Sequence, residues 1–392
     1  MLDSNRGPDA QAQPGTHHTT GLSGTGARFT FLDALRGVGA LAITCYHIHR
    51  YTPLEIPADR LLPNVIQFMV RHCWASVQMF WVISGFVVAY SLRNVTVRPA
   101  SFGNFTVRRV LRLGTPYWTA ILVVVAADFL SKQWLQIDPN NMLIDDPVSW
   151  PRLAANLGFL QDVLKYGNIS AGTWFVCVDL QFGLLFIVML GIAQLLSRPL
   201  QGKVGAENAN ALLLTLVFVP LGLISLFVFN LNADVYDDWA IYYFHMPLFG
   251  ALAWWTLDGR IPRAVFWSFA AALVGGMAYR WNLGFDYKKS LELAVALTAG
   301  LAIYLVGRRG HLGDWLAARP LQFLGRISYS LYLIHYPTSW IVVTIGRSLT
   351  PNNPKAAVLW MTTGVVVSIG VAYLFYQCVE SPSLRLVKRL KA

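Results

Sequence analysis

The sequence predicts an all-α protein, a polytopic membrane helical bundle with about ten transmembrane helices and both termini in the cytoplasm. Three observations predict this class. Of the 392 residues, 55% are hydrophobic and 13% are charged, with a mean hydropathy of +0.47, whereas soluble domains carry roughly 25% charged residues. Apolar stretches of spanning length recur along the chain, and basic residues concentrate in alternate loops. The composition therefore argues against a soluble enzyme, a disordered scaffold or a fibrous repeat.

The candidate spans follow from length, because about 20 residues at 1.5 Å each cross the hydrocarbon core of a bilayer. The stretches that meet this requirement are 31–52, 70–92, 113–131, 173–196, 210–230, 239–256, 263–281, 289–307, 321–345 and 356–378. The sixth stretch is the shortest. We expect one membrane domain over residues 29–382, preceded by a disordered polar tail over 1–28 and followed by a basic cytoplasmic tail over 383–392.

Loop charges predict the orientation of the bundle. With the N-terminus inside, the loops assigned to the cytoplasm contain these bases: Arg93, Arg98, Arg108, Arg109, Arg112, Arg198, Lys203, Arg260, Arg263, Arg308, Arg309 and Arg319. The opposite loops contain these acids: Glu55, Asp59, Asp138, Asp145, Asp146, Asp162, Asp234, Asp237 and Asp238. They also hold a minority of bases, such as Arg60, Lys132, Lys165, Lys288 and Lys289. Positive charge favours the cytoplasmic side of a membrane. The net charge of +11 is therefore assigned mainly to topology, and we expect a multi-pass plasma membrane protein with no nucleic-acid partner.

The four cysteines are scattered and have no C-x-x-C spacing: Cys45, Cys73, Cys177 and Cys378. Their spacing predicts neither a zinc site nor a disulfide framework. We therefore expect no metal ion.

Ionisable residues inside apolar spans are costly and mark functional sites, and the first span carries several of them. Asp33 and Arg36 lie three residues apart and share a helix face. His47 follows Arg36 by eleven residues, or three helical turns, so the two side chains point the same way about 16 Å apart. Histidine is suited to accept and return a proton near neutral pH. His47 is therefore a candidate general base, the alternative being a structural histidine hydrogen-bonded to a neighbouring helix.

A second group is the basic cluster that precedes the third span. Arg108, Arg109 and Arg112 lie close together, and Arg109 and Arg112 share a helical face. Guanidinium groups bind phosphate oxygens in a bidentate manner, so the cluster is a candidate site for the phosphates of a nucleotide-bearing cosubstrate. The alternative is ordinary positive-inside topology.

A third group lies at the start of the fourth span, where Asp179 and Gln181 follow Trp174 within an apolar run. Asp179 reaches a depth comparable to that of His47. A His–Asp pair could orient the imidazole and stabilise its protonated form. The alternative is a polar clasp between helices.

Taken together, these segments resemble acyltransferase family 3. Six segments carry the resemblance, in order: Leu32 to Gly37 with His47, Phe80 to Phe86, Arg108 to Trp118, Trp174 to Phe182, Gly325 to Pro337, and Glu380 to Pro382. Asp179 stands where the family pattern has Glu, which shortens the reach of the carboxylate by one methylene. The stretch before Pro116 also has one extra residue.

The resemblance implies a membrane O-acyltransferase that moves an acyl group, usually acetyl, from acyl-CoA to a hydroxyl. Acyl-CoA is then a cosubstrate rather than a tightly bound cofactor. The acceptor would be a glycan, a lipid-linked sugar or a small molecule. Arg36, Arg108, Arg109 and Arg112 are expected to hold the donor, with His47 as general base and Asp179 as its orienting partner. Trp174, Ser84 and His335 are the residues expected to bind the acceptor, although His335 could instead serve helix packing.

The main alternative is a polytopic transporter or flippase without acyl-transfer chemistry, since transporters also place ions and broken helices inside the membrane. The Arg cluster combined with the Arg36–His47 spacing favours the enzyme.

Overall fold

The computed structural model describes residues 28–51, 58–134, 143–144, 146–232, 234–284 and 286–390. In this part of the chain every regular element is helical and no strand occurs. The helices of the first half are α1 Thr30–Arg50, α2 Pro63–His72, α3 Ser76–Ser91, α4 Pro99–Trp134, α5 Trp150–Leu157 and α6 Thr173–Val204. A 3-10 turn, Cys73–Ala75, joins α2 to α3. The predicted all-α class is therefore confirmed.

The second half continues the same pattern. Its helices are α7 Ala206–Ile224, α8 Ala240–Tyr243, α9 His245–Leu257, α10 Arg263–Leu283, α11 Tyr287–Arg308, α12 Arg319–Leu349, α13 Pro354–Phe375 and α14 Ser381–Arg389. Two π-helical segments, Ser225–Asn230 and Tyr376–Glu380, extend α7 and α13. Short 3-10 turns occupy Asp234–Tyr236 and His311–Gly313.

Within the described residues, six helical segments are long and apolar enough to cross a membrane. They are Pro63–Ser91, Pro99–Gln133, Thr173–Val204, Ala206–Asn230, Tyr287–Arg308 and Pro354–Arg389. All ten predicted stretches overlap helices, but the count of ten spans and the orientation of the termini remain predictions. The predicted tail over 1–28 lies almost wholly outside the described residues. Most of the predicted tail over 383–392 belongs to α14.

The sixth predicted span has an unusual form, because it is broken at Phe244 into α8 and α9. Helix α9 has 13 residues, which at 1.5 Å each give about 20 Å, less than the roughly 30 Å of a hydrocarbon core. Every residue from His245 to Thr256 is buried. Helix α9 is therefore a central helix that packs against protein on all sides.

Glycines set the closest helix crossings in the bundle. A Cβ atom on Gly85 of α3 would lie 1.7 Å from the Pro247 carbonyl oxygen, and one on Gly250 of α9 would lie 1.9 Å from the Val82 carbonyl oxygen. Small residues allow backbones to approach in this way. The close approach at Gly85 fixes α3 against the central helix α9.

A similar crossing joins α1 to α12. A Cβ atom on Gly325 would lie 2.1 Å from the Asp33 carbonyl oxygen, and one on Gly37 would lie 2.7 Å from the Gly325 nitrogen. Since α1 carries His47 and α12 carries His335, this crossing holds the two histidine-bearing helices together.

The peripheral helices present apolar side chains to the outside. Only 33% of an apolar 18-residue stretch within Pro99–Gln133 is buried, and only 28% of such a stretch within Pro354–Arg389. Their exposed side chains include Phe129, Leu130 and Leu374, each more than half exposed. Such continuous apolar surface suits a lipid environment.

Candidate active site

The predicted functional residues lie in two groups along the bundle. Arg36 and His47 share α1 and are separated by about 16 Å along its axis. Arg36 belongs to a group of charged residues contributed by α1, α4, α6 and the end of α13. His47 belongs to a group of histidine and aromatic residues that lines a cavity. We call the four arginines of the first group (Arg36, Arg108, Arg109 and Arg112) the arginine cluster. We call the two histidines of the second group (His47 and His335) the histidine pair.

The histidine pair joins α1 to α12. The Nδ1 atom of His47 lies 2.8 Å from the Nε2 atom of His335, and their ring centroids are 5.0 Å apart. The Nδ1 atom of His335 in turn lies 2.9 Å from the Leu331 carbonyl oxygen. His335 is fully buried and His47 is 7% exposed. The sequence does not predict this contact, because 288 residues separate the two histidines.

The hydrogen-bond network fixes the tautomers of the neutral pair. A carbonyl oxygen can only accept, so the His335 Nδ1–H must donate to Leu331. The Nε2 atom of a neutral His335 is then an acceptor, and His47 must donate to it from Nδ1. The remaining nitrogen, His47 Nε2, carries a lone pair and has no hydrogen-bond partner among the described residues. His47 thus presents the basic nitrogen that a general base requires.

A cavity of about 250 Å³ is lined by His47, which we call the histidine cavity. Its other lining residues are aromatic, polar or small: Ile43, Tyr46, Tyr51, Trp74, Val77, Gln78, Ala171, Trp174, Tyr243, Glu292 and Tyr332. Small-molecule sites usually occupy about 300–1,000 Å³. The histidine cavity is therefore large enough for one part of a ligand.

A second cavity, of about 300 Å³, shares Trp174 and Tyr243 with the first. Its remaining lining residues are Asp162, Asn168, Val178, Asp237 and Asp238. Burial raises the pKa of the Asp162 carboxyl, and a 2.6 Å hydrogen bond from Asn168 opposes part of that rise. The structure therefore places Trp174, predicted to bind the acceptor, at the wall common to both cavities.

Asp179 binds the arginine cluster. The Nη2 atom of Arg109 donates to Asp179 Oδ2 and to the Asp179 carbonyl oxygen, each at 2.8 Å. The Ser84 hydroxyl donates to Asp179 Oδ1 at 2.5 Å. The side chains of Arg109 and Asp179 are 13% and 11% exposed. Both carboxylate oxygens are thus used by Arg109 and Ser84, and the structure does not bring Asp179 to His47. Ser84 likewise lies in this group and does not line the histidine cavity.

Gly183 makes room for the Arg109 side chain. A Cβ atom at this position would lie 2.2 Å from Arg109 Nε and 2.5 Å from its Cζ. Gly183 stands one helical turn after Asp179 on α6. The fit between Gly183 and Arg109 therefore directs the guanidinium towards the Asp179 carboxylate.

The other arginines are less tightly engaged. Arg36 lies 3.8 Å from Asp33 and interacts electrostatically with Arg112, Asp179 and Glu380. Arg112 is exposed, and Arg108 has a buried Nε atom without a hydrogen-bond partner in the described region. Arg36 and Arg109 each interact electrostatically with Arg112. Asp179 interacts with both Arg36 and Arg109, and Glu380 with Arg36, so these acids neutralise part of the positive charge.

Glu380, at the end of the π-helical extension of α13, hydrogen-bonds to α12 and interacts electrostatically with Arg36 and Arg112. Its Oε2 atom accepts from the Ser330 backbone N–H at 3.1 Å and from the Ser330 hydroxyl. Glu380 is 8% exposed and ends the π-helical segment Tyr376–Glu380, and such segments occur frequently at functional sites. The sequence pattern includes Glu380 among the family-like residues but gives it no role.

Gln181 and His245 form hydrogen bonds within the bundle. The Gln181 amide accepts from the Ala240 N–H at 3.2 Å and donates to the Asp238 carbonyl at 3.3 Å. His245 is buried with its Nδ1 atom 3.1 Å from the Ser225 hydroxyl. The cysteines are free, and no metal-ligating cluster of three residues occurs among those described.

Comparisons with known proteins assign the family. The family profile described as an acyltransferase domain, Acyl_transf_3, matches residues 29–377. The chain is 23% identical over 377 residues to the Bacillus subtilis (strain 168) protein named "Putative peptidoglycan O-acetyltransferase YrhL", an alignment that covers 85% of this chain and 55% of the relative. The chain therefore spans about half the length of that relative. No solved structure shows significant similarity.

The chain belongs to acyltransferase family 3. Apolar helices and family membership together support a multi-pass membrane protein of the acyltransferase class.

Proposed function

We propose that the protein transfers an acyl group, most simply acetyl, from cytoplasmic acyl-CoA to a hydroxyl of an extracytoplasmic glycan or related acceptor. The name of the Bacillus subtilis relative refers to O-acetylation of peptidoglycan, which supports a glycan acceptor for this protein. The observation that carries the proposal is the histidine pair, because it leaves His47 Nε2 as a basic nitrogen in a cavity lined by aromatic and polar side chains.

The arginine cluster is suited to the donor. Its exposed Arg112 and partly exposed Arg36 lie in a common field of positive charge, and guanidinium groups bind phosphates well. The phosphates of acyl-CoA would bind at this end of the bundle. The acyl-bearing arm would extend along α1 towards His47, about 16 Å away.

The transfer step follows from the tautomer of His47. His47 Nε2 accepts the proton of the acceptor hydroxyl as its oxygen forms a bond to the thioester carbonyl carbon. The carbon–sulfur bond then breaks, and the departing CoA thiolate takes the proton from His47. While His47 carries the proton, His335 Nε2 accepts from His47 Nδ1–H and so steadies the imidazolium. Base assistance of this kind is worth roughly 10²–10⁴-fold in rate.

The proposal is tested with purified protein in lipid nanodiscs, supplied with acetyl-CoA carrying a labelled acetyl group and a soluble glycan. Release of CoA and the mass of the glycan are measured together. Transfer predicts one labelled ester per CoA released, lost in His47→Ala although acetyl-CoA still binds. A wild-type rate in His47→Ala overturns the role of His47.

The same experiment separates the enzyme from a transporter. A transporter or flippase would move substrate across a vesicle membrane with no acetyl-CoA consumption and no new ester. The arginine cluster and the histidine pair together favour the enzyme, because transport requires neither a phosphate-binding end nor a free basic nitrogen beside a cavity.

A further inference from the structure

Gln78 on α3 is a buried amide inside the histidine cavity. Gln78 is 3% exposed and lines the cavity together with His47, Trp74 and Trp174. The Oε1 atom is buried and has no hydrogen-bond partner in the described chain. Gln78 thus lines the cavity that holds His47, and no described residue forms a hydrogen bond with its side chain.

An amide in this state needs a partner. Leaving a buried polar group without a hydrogen bond costs about 1–3 kcal/mol, and most buried polar groups in native proteins are satisfied. Gln194 shows the ordinary structural arrangement, since its Oε1 accepts from the Val97 N–H at 2.8 Å and its Nε2 donates to the Val95 carbonyl at 2.9 Å. Gln78 has no such contacts with the described residues, which leaves its amide available to a partner in the cavity.

The chemistry of the cavity narrows the class of that partner. A primary amide offers one acceptor and two donor hydrogens, which matches neighbouring polar groups such as two hydroxyls, or a hydroxyl and an acetamido group. The same cavity is lined by the aromatic rings of Trp74, Trp174 and Tyr243. Flat apolar faces and a bidentate polar group in one cavity suit a sugar ring, which has an apolar face and a polar rim.

We propose that the Gln78 amide binds a sugar ring of the acceptor through polar groups next to the hydroxyl that His47 deprotonates. This assignment rests on the proposed acyltransferase function and adds the group that selects and orients the acceptor. Gln78 is then a binding residue for the acceptor, with no part in binding the donor at the arginine cluster.

The test compares Gln78→Met, which keeps the volume and removes the amide, with Gln194→Met as the matched control. The probes are acetyl-CoA and the β-1,4-linked tetramer of N-acetylglucosamine. Three quantities are measured in nanodiscs: sugar binding by quenching of tryptophan fluorescence, steady-state transfer, and the apparent Tm.

For Gln78→Met we expect sugar affinity to fall and the acceptor KM to rise by about tenfold, the loss of one good hydrogen bond. The KM for acetyl-CoA should stay unchanged. The apparent Tm should be equal to or above the wild-type value, because an unsatisfied buried amide has been removed. For Gln194→Met we expect the reverse, a lower Tm and an unchanged acceptor KM.

Unchanged sugar affinity and acceptor KM in Gln78→Met, with active wild-type protein, overturn this inference and leave the proposed function intact. Sugar binding that depends on Gln78 without any ester formation overturns the proposed function and leaves the sugar site intact. Wild-type protein that neither binds nor acetylates the tetramer contradicts the assignment of a sugar to this cavity. A lower Tm in Gln78→Met with an unchanged acceptor KM shows that the amide is structural.

Discussion

His47 Nδ1 lies 2.8 Å from His335 Nε2, and the Leu331 carbonyl holds the far nitrogen of His335. This relay resembles the arrangement of an oriented general base, in which a third group fixes the tautomer of a histidine. Here the orienting group is a second imidazole where Asp or Glu is more familiar. His335 therefore moves from a predicted acceptor-binding residue to a proposed positioning residue for His47.

His335→Ala should lower kcat while leaving the KM for acetyl-CoA unchanged. Without an acceptor for its Nδ1–H, His47 can turn or adopt the other tautomer, which removes Nε2 from the acceptor hydroxyl. We expect a loss of about 10–100-fold, smaller than the loss from His47→Ala. His335→Gln provides a matched control, since its amide oxygen can still accept and should restore part of kcat. Equal rates for the Ala and Gln variants would contradict a positioning role.

The buried pair of Arg109 and Asp179 should be essential for stability. Removing one partner leaves the other charge uncompensated, which typically costs about 3–5 kcal/mol. We expect Arg109→Ala and Asp179→Ala each to lower the apparent Tm, and the double variant to lose less than the two combined. Additive losses in this cycle would show that the 2.8 Å contact contributes little.

Arg112 is exposed at the arginine cluster, so its loss should affect donor binding more than folding. Arg112→Ala is expected to raise the KM for acetyl-CoA by about tenfold, the scale of one charge-assisted hydrogen bond. Arg198→Ala, which removes another exposed arginine, is the control. An Arg112→Ala variant with the donor KM of the control would remove Arg112 from the donor site.

The crossing of α3 and α9 predicts a stability effect at Gly85. Gly85→Ala would place a Cβ atom 1.7 Å from the Pro247 carbonyl oxygen, so the two central helices must separate. We expect little folded protein in a detergent extract, as measured by size-exclusion fluorescence. Gly103→Ala is the control, because a Cβ atom there meets nothing within 4 Å. Its yield should match or exceed that of the wild type, since Ala favours a helix over Gly by about 1 kcal/mol. A normal yield for Gly85→Ala would contradict the close crossing.

The sequence predicts much of this molecule because hydrophobicity and helical spacing act locally. The helix that carries Arg36 and His47 and the basic cluster before the third span follow from residues close together in the chain. Partnerships across the bundle do not, because pairing depends on how helices cross. Asp179 and His47 have comparable predicted depths, yet Asp179 meets Arg109 and Ser84 while His47 meets His335.

Gln78 illustrates a second limit. A glutamine in an apolar run is ordinary in sequence, and only the packed structure reveals that its oxygen is buried without a partner among the described residues and that Gln78 lines a cavity. A related limit applies to the sixth predicted span. Its composition fits a membrane helix, but helix α9 is buried by neighbours on all sides, and hydrophobicity alone does not distinguish lipid from protein surroundings.

The most direct test of the account is the rate of ester formation by His47→Gln at saturating acetyl-CoA and acceptor. Glutamine can still donate to His335 Nε2 but cannot remove a proton from a hydroxyl. We predict that kcat falls by at least about 10²-fold while acetyl-CoA binding and the apparent Tm stay near the wild-type values. A kcat within a few-fold of wild type would contradict the claim that His47 is the base.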